Sequence, residues 1–506
     1  MFRVSPFAWI SQYFGGFFFA YGVYLPFWAL WFEDQGVSAG DIGVLIGIGF
    51  ATRCVANLVI TPRIHKVEHL MPALRCLSFA ALLFVGFHFF TGGSFILMLL
   101  ATVLFNLCCG PIIPLSDAMA NHYSRLKMLD YGRTRLWGSV AFIAGSTVVG
   151  YLVAEFGTDM ILYTALAGVL LSLILAMRNP NVMPVTQSEQ QAVRPKLGEL
   201  LRESSVVKFL ALMALLQGSH AAYYSFSAIY WKEAGHSEAI IGYLWSLGVV
   251  AEVAVFALSK RLFSGWSLRT LFVVAAIGVM ARWGITASTT AIFALVMVQL
   301  LHGVTFAMAH IAAIQYIQSE EQNKMVALQA LYNAIPLGAF IALMTTLSGW
   351  GYELWGANIF WGMAAMGGLA NSSDMYEEAI KAGSDEGTAQ LAGAFGLLTG
   401  LTEAVPLSRM FNRAGTSGGI KKIALDMLKE SGEEGLQEGL QGVLNNLTAK
   451  ELYDSSREVF NKETMRAMAA GAVTGGGMAG AASSASTLKS CLSLTFINVK
   501  LGRSKL

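Results

Sequence analysis

Apolar runs of about 20 residues fill most of positions 7–370 of this 506-residue chain, and a helix of about that length crosses the ~30 Å hydrocarbon core of a bilayer. The runs fall near 7–31, 42–61, 71–91, 95–118, 136–155 and 159–177, then near 207–231, 240–262, 268–286, 289–316, 326–348 and 354–370. Lipid offers the backbone no hydrogen-bond partners, so segments this long satisfy themselves as helices. Composition agrees, with 55% of residues hydrophobic and 13% charged, against about 25% charged in soluble domains. The expected fold is an all-α membrane protein of two six-helix bundles, 1–177 and 207–370, joined by a polar loop at 178–206. The last span is short, because Asn371-Ser372-Ser373-Asp374 cuts off its apolar stretch.

The second bundle repeats the first. FWALWFEDQGVSAGDIGVLIGIG (Phe27–Gly49) aligns without a gap to FSAIYWKEAGHSEAIIGYLWSLG (Phe226–Gly248) at an offset of 199, and eight of the 23 pairs are identical. Repeated membrane halves build a substrate site between them at mid-bilayer in many secondary transporters. Continuing the alignment sets Arg53 opposite Glu252, two ionisable residues deep in apolar segments, where an unpaired charge is expensive. They are expected either to form an ion pair in one conformer or to act on substrate and proton. A second alignment, at offset 193, sets Asp117 opposite His310.

Arg63, Lys66, Arg125, Lys127, Arg133, Arg178, Lys260, Arg261 and Arg269 fall in loops on one side, and Glu33, Asp34, Asp41, Glu155, Asp159, Glu233, Glu238 and Glu353 on the other. Cytoplasmic loops retain Lys and Arg, so the N-terminus and the central loop are expected inside. Met1–Pro6 lead straight into a span rich in large aromatics, without a small-residue cleavage site, so the first helix is expected to stay as its own anchor. A net charge of +2 gives no reason to expect a nucleic-acid partner. Adjacent Cys108 and Cys109 lie in an apolar run with no His or carboxylate at ligand spacing, so they read as packing residues and no metal is expected. No nucleophile–base pair or phosphate loop is visible, GGSF and GTSGG being too weak to count. An enzyme and a cofactor are therefore not expected.

Residues 5 to about 370 resemble the major facilitator superfamily, in particular its oligosaccharide/proton symporter-like branch and, within that, the 3-phenylpropionate permeases. The resemblance rests on FAYGVYLPFWALWF (Phe19–Phe32), PLSDAMAN (Pro114–Asn121), DYGRTRLWGSVAFIAGS (Asp130–Ser146), QGSHAAYYSFSAIYW (Gln217–Trp231), YLWSLGVVAEV (Tyr243–Val253), ARWGI (Ala281–Ile285) and QLLHGVTF (Gln299–Phe306). It implies a proton-coupled importer of a small aromatic carboxylate, acting as a monomer in the bacterial inner membrane. A sugar or nucleoside symporter is the alternative within transport, and a non-functional fusion protein the alternative outside it.

The resemblance also implies site residues. Asp117 and Arg135 match a carboxylate–arginine pair that grips sugar in the permeases, while Phe142 stands where those relatives stack a tryptophan, a change that suits a phenyl ring. Glu252, Arg282 and His302 match the proton-coupling network, but Thr305 and Gln299 replace its helix X carboxylate and lysine. Proton uptake then falls to Glu252, Asp117 or a histidine, His302 or His310. Arg135, Arg282 and Arg53 are the candidate cations for a carboxylate, which a guanidinium binds bidentately. Tyr223, Tyr224 and Tyr21 are candidate hydrogen-bonding or packing residues, whereas His220 and His88 read as packing.

From Asn371 the composition changes, charged residues becoming about twice as frequent, and the sequence to Leu506 lies outside the resemblance. EEGLQEGLQGVLNNLTAK (Glu433–Lys450) resembles helical segments of large phage-encoded multidomain proteins. Fusion of a transporter to unrelated sequence, by recombination or faulty assembly, accounts for this boundary; a regulatory tail is the rival.

Overall fold

The computed structural model describes residues 3–64, 66–185 and 197–381. The chain divides into two compact units, Met1–Ala370 and Asn371–Leu506. The tail helices anticipated within 418–447, the apolar stretch 389–407, the Gly/Ala-rich 465–485 and Cys491 lie outside the described residues.

The first bundle consists of α1 (Pro6–Asp34), α2 (Ala39–Val59), α3 (Val67–Phe87), α4 (Phe95–Arg125), α5 (Tyr131–Phe156) and α6 (Asp159–Ala176). Short strands β1 (Arg3–Val4) and β2 (Asn179–Pro180) pair in parallel and tie the start of the chain to the end of α6. After the small helix α7 (Leu197–Leu200), the seventh pass comprises α8 (Ser204–Gly218) and α9 (Ala221–Glu233). It is followed by α10 (Glu238–Leu262) and α11 (Leu268–Ser288). The tenth pass joins α12 (Ile292–Leu300) to α13 (Ala309–Ser319) through a π-helical stretch, Gly303–Met308. The eleventh joins α14 (Gln322–Ala334) to α15 (Ile341–Trp355) through another, Ile335–Phe340, and α16 (Ile359–Lys381) follows.

Eleven segments among the described residues are long and apolar enough to cross a membrane, the last being the 49-residue Gln322–Ala370. As one helix it would reach about 74 Å, over twice the hydrocarbon thickness. Gly356 at φ +56° ends α15 and divides it into two passes, giving the expected six plus six. The apolar part of α16 ends at Ala370 as anticipated, but the helix continues to Lys381, because the sequence from Asn371 onward holds no helix breaker before Gly383.

The repeat is visible in local chemistry. Gly36 and Gly235, equivalent at the 199 offset, adopt φ +79° and +90°, a region glycine enters without steric cost. Two residues later Ser38 and Ser237 cap α2 and α10, each accepting a backbone N–H three residues on. Outward-facing Phe79, Ile96, Tyr151 and Leu343 are exposed, as side chains facing lipid should be.

The halves meet where α2 crosses α15 and α5 crosses α10. A Cβ on Gly43 would lie 2.5 Å from Gly349 Cα, and one on Gly150 would lie 3.2 Å from Gly242 Cα. Both pairings follow the repeat, since Gly43 is equivalent to Gly242 and Gly150 to Gly349. Ser246 Oγ bonds Ser146 Oγ and Thr147 Oγ1, each at 2.9 Å, beside the second crossing. The backbone N–H of Gly40 donates to Glu353 Oε2 at 2.9 Å beside the first. All these contacts lie toward the end of the bundle carrying the acidic loops, so that end is closed.

Candidate functional site

Between the halves lies a cavity of about 290 Å³. Phe18 and Tyr21 of α1, Arg135 and Phe142 of α5, Tyr223 and Tyr224 of α9, Trp245 and Glu252 of α10, and His302 with Phe306 line it. Eight of the nineteen lining residues are Phe, Tyr or Trp, and the ionisable groups sit among them. Tyr223 stacks on Trp245 at 4.4 Å, and Tyr21 meets Phe142 edge-on at 6.0 Å.

On the cavity wall nearest the basic loops, Arg135 Nε lies 3.9 Å from Asp117 Oδ1. Tyr131 Oη donates to the same oxygen at 3.1 Å, and the Arg135 guanidinium lies 4.1 Å from the centre of the Phe18 ring. The anticipated Asp117–Arg135 pair is thus assembled, with Arg135 rather than Asp117 on the wall.

Across the cavity, Arg282, His302 and Glu252 form a chain. Arg282 is fully buried; one terminal nitrogen donates to His302 Nδ1 at 2.9 Å and to Thr305 Oγ1 at 3.0 Å, and the other reaches Gln299 Oε1 at 3.4 Å. A guanidinium only donates, so His302 Nδ1 accepts and its Nε2 carries the proton. That Nε2 faces Glu252 Oε2 at 3.5 Å. Thr305 lies inside the π-helical stretch that starts right after His302, and such single-turn widenings often mark functional sites.

Arg53 and Glu252 do not pair in this conformer. Each turns into the polar cluster of its own half: Arg53 Nε donates to Asn106 Oδ1 at 2.6 Å, and its guanidinium lies 5.0 Å from the centres of both the Tyr21 and the Tyr24 rings. His310 is held apart from the cavity, its Nδ1 2.9 Å from Tyr332 Oη. His220 bonds Thr305 Oγ1 through Nε2 at 3.1 Å, and His88 is packed among Trp28, Trp31 and Phe105. Cys108 and Cys109 are buried in the core.

Sequence reasoning missed Tyr24 and Asn106, although both sit on the offsets already in hand. Tyr24 is equivalent to Tyr223 at 199, and Asn106 to Gln299 at 193. Each half therefore holds a tyrosine, an amide and an arginine together. Asn106 Nδ2 donates to Tyr24 Oη at 3.2 Å, and Tyr223 Oη donates to Gln299 Oε1 at 3.1 Å. The arginines, Arg53 from α2 and Arg282 from α11, come from non-equivalent helices, so no sequence offset connects them.

A cavity between two repeated six-helix halves, with charges in its walls, is the architecture of a secondary transporter, and the comparisons agree. The family model described as "MFS_1 like family" matches residues 9–363. The "Probable 3-phenylpropionic acid transporter" of Escherichia coli (strain K12) is 42% identical over 356 residues, which is 70% of this chain and 94% of that protein. The "Maltose permease" of Geobacillus stearothermophilus is 26% identical over 342 residues, 67% of this chain and 86% of the permease. The crystal structure of a mutant of nucleoside transporter NupG superposes with a TM-score of 0.62 at 13% identity, over 72% of this chain and 98% of that one. This chain belongs to the MFS_1-like family and is a multi-pass membrane transporter of the major facilitator fold.

Proposed function

We propose that the transporter imports a small aromatic monocarboxylate of the 3-phenylpropionate type together with protons, by rocking its two halves about the central cavity. Charge carries this reading: the guanidinium groups of Arg53, Arg135 and Arg282 face only two carboxylates among the described residues, Asp117 and Glu252, around an aromatic-walled space. With the histidines neutral and Glu252 ionised, one positive charge is in excess, which a monoanion neutralises. Buried charge without a counter-charge is costly, so the cavity favours an acid over a neutral ligand. Phe142, Tyr21, Tyr223 and Tyr224 supply faces and edges for a phenyl ring. The 42% identical relative named for 3-phenylpropionic acid supports the same substrate class.

Glu252 is the proton carrier in this scheme, with His302 holding a donor toward it and His310 behind. The basic loops support an N-terminus on the cytoplasmic side of a bacterial inner membrane; in that orientation the closed acidic end faces outward and this conformer is the inward-facing one. The chain works as a monomer, since one copy carries both halves of the site. Sugar or nucleoside symport is the second reading, favoured by the Asp117–Arg135 pair. Uptake of labelled 3-phenylpropionate, maltose and uridine by vesicles containing the full-length protein separates the two. Uptake of the aromatic acid alone supports the first reading, and uptake of a sugar or nucleoside alone replaces it.

A further inference from the structure

Of the three guanidinium groups, Arg135 already has an acid beside it in Asp117, and Arg282 is sealed with no exposed surface. Arg53 differs from both. Among the described residues no carboxylate lies within ion-pair distance of it, and it borders open space. That space is a recess of about 10 Å³ walled by Tyr24, Trp28, Phe50 and Tyr224, room for roughly one water-sized group. Leu25, Phe50 and Tyr224 border both the recess and the main cavity, so the two adjoin.

Depth separates the cations as well. Arg53 lies two residues from the centre of the Ala39–Arg63 span, whereas Arg135 is only four residues from the start of Tyr131–Phe156. At 1.5 Å per residue these are displacements of about 3 Å from mid-membrane and about 6 Å from a helix end. Substrate sites in repeated transporters lie near the midplane. Phe142, the ring position facing the cavity, is also close to the middle of its span.

We propose that Arg53, rather than Arg135, binds the substrate carboxylate, with the phenyl ring lying in the main cavity against Phe142 and Tyr21. This rests on the aromatic-carboxylate reading above. Asn106 occupies Nε and fixes the plane of the guanidinium, while the terminal nitrogens keep the fork that matches a carboxylate. The recess admits one carboxylate oxygen and excludes a ring, so the rest of the carboxyl group sits where the recess meets the main cavity. Tyr21 links the two subsites, its ring lying 5.0 Å from the Arg53 guanidinium and edge-on to Phe142 at 6.0 Å. Asp117 keeps Arg135 at the cytoplasmic mouth, where the pair contributes to capture and release.

The test compares binding of 3-phenylpropionate and of the neutral 3-phenylpropanol to purified full-length protein, by isothermal titration, in wild type, Arg53→Met, Arg53→Lys and Arg135→Met. Truncating one partner of a buried charge pair weakens binding by about thirtyfold or more. That loss is expected for the acid in Arg53→Met, with the alcohol within about threefold of wild type. Arg53→Lys is expected to restore only part of it, since an ammonium lacks the planar fork. Arg135→Met is expected to lose less than Arg53→Met. Unchanged acid binding in Arg53→Met, or equal loss of acid and alcohol, overturns the assignment. If Arg53→Met does not fold, undiminished acid binding by Arg53→Lys overturns it. Wild type that binds neither compound overturns the substrate reading itself, and this assignment with it.

Discussion

His302 owes its role to its two neighbours. Arg282 saturates Nδ1 and leaves the Nε2 proton pointing at Glu252, so the imidazole transmits the guanidinium's polarity to the carboxylate without itself being charged. Glu252→Gln keeps the shape and removes the titrating group; exchange of substrate between equal pools should persist while accumulation against a gradient is lost. Protonophore-sensitive accumulation by that variant would move the proton step to Asp117 or His302. Arg282 also lacks an acid among the described residues, and the Gln299 amide nitrogen beside it has no partner. Gln299→Glu would supply that acid while preserving the acceptor for Tyr223. A hydrogen bond to a charged group contributes about 1.5–3 kcal/mol, so the variant should melt higher in detergent and, having cancelled the excess positive charge, bind the aromatic acid more weakly. A lower melting temperature would show that Arg282 is already satisfied.

The elements that close the acidic end do so through glycine. Gly43 against Gly349 and Gly150 against Gly242 let α2 reach α15 and α5 reach α10 at backbone contact, a distance no larger side chain permits. Gly242→Val should hold that end apart, raising labelling of a cysteine introduced on the cavity wall by a membrane-impermeant thiol reagent added from outside. Unaltered labelling would mean the crossing adapts without opening. The same crossings mark how far the sequence was legible. The Gly43/Gly242 equivalence follows from the 199 offset, as do the capping serines and the glycine turns before them, because they depend on local conformation. What Gly43 touches does not follow, since Gly349 is about 300 residues away and only packing brings it there. A similar limit applies to the site. Asp117 with Arg135, and Arg282 with His302 and Glu252, were anticipated from the resemblance; the Asn106 clamp on Arg53 was not, because a single amide in an apolar helix gives no sign of its partner.

At the scale of the whole molecule, twelve passes among the described residues form two repeated halves around a cavity lined by aromatic and ionisable side chains. The family match ends at residue 363, so a chain ending at Lys381, which keeps all of α16, should transport as well as the full chain. Loss of uptake on that truncation would instead assign the tail a working role. Proton-coupled import of an aromatic monoanion is tested most directly by uptake of labelled 3-phenylpropionate into proteoliposomes under an imposed inward proton gradient. The predicted result is accumulation above the external concentration, collapse on adding a protonophore, and no accumulation of 3-phenylpropanamide. Equilibration without accumulation, or accumulation indifferent to the protonophore, would contradict it.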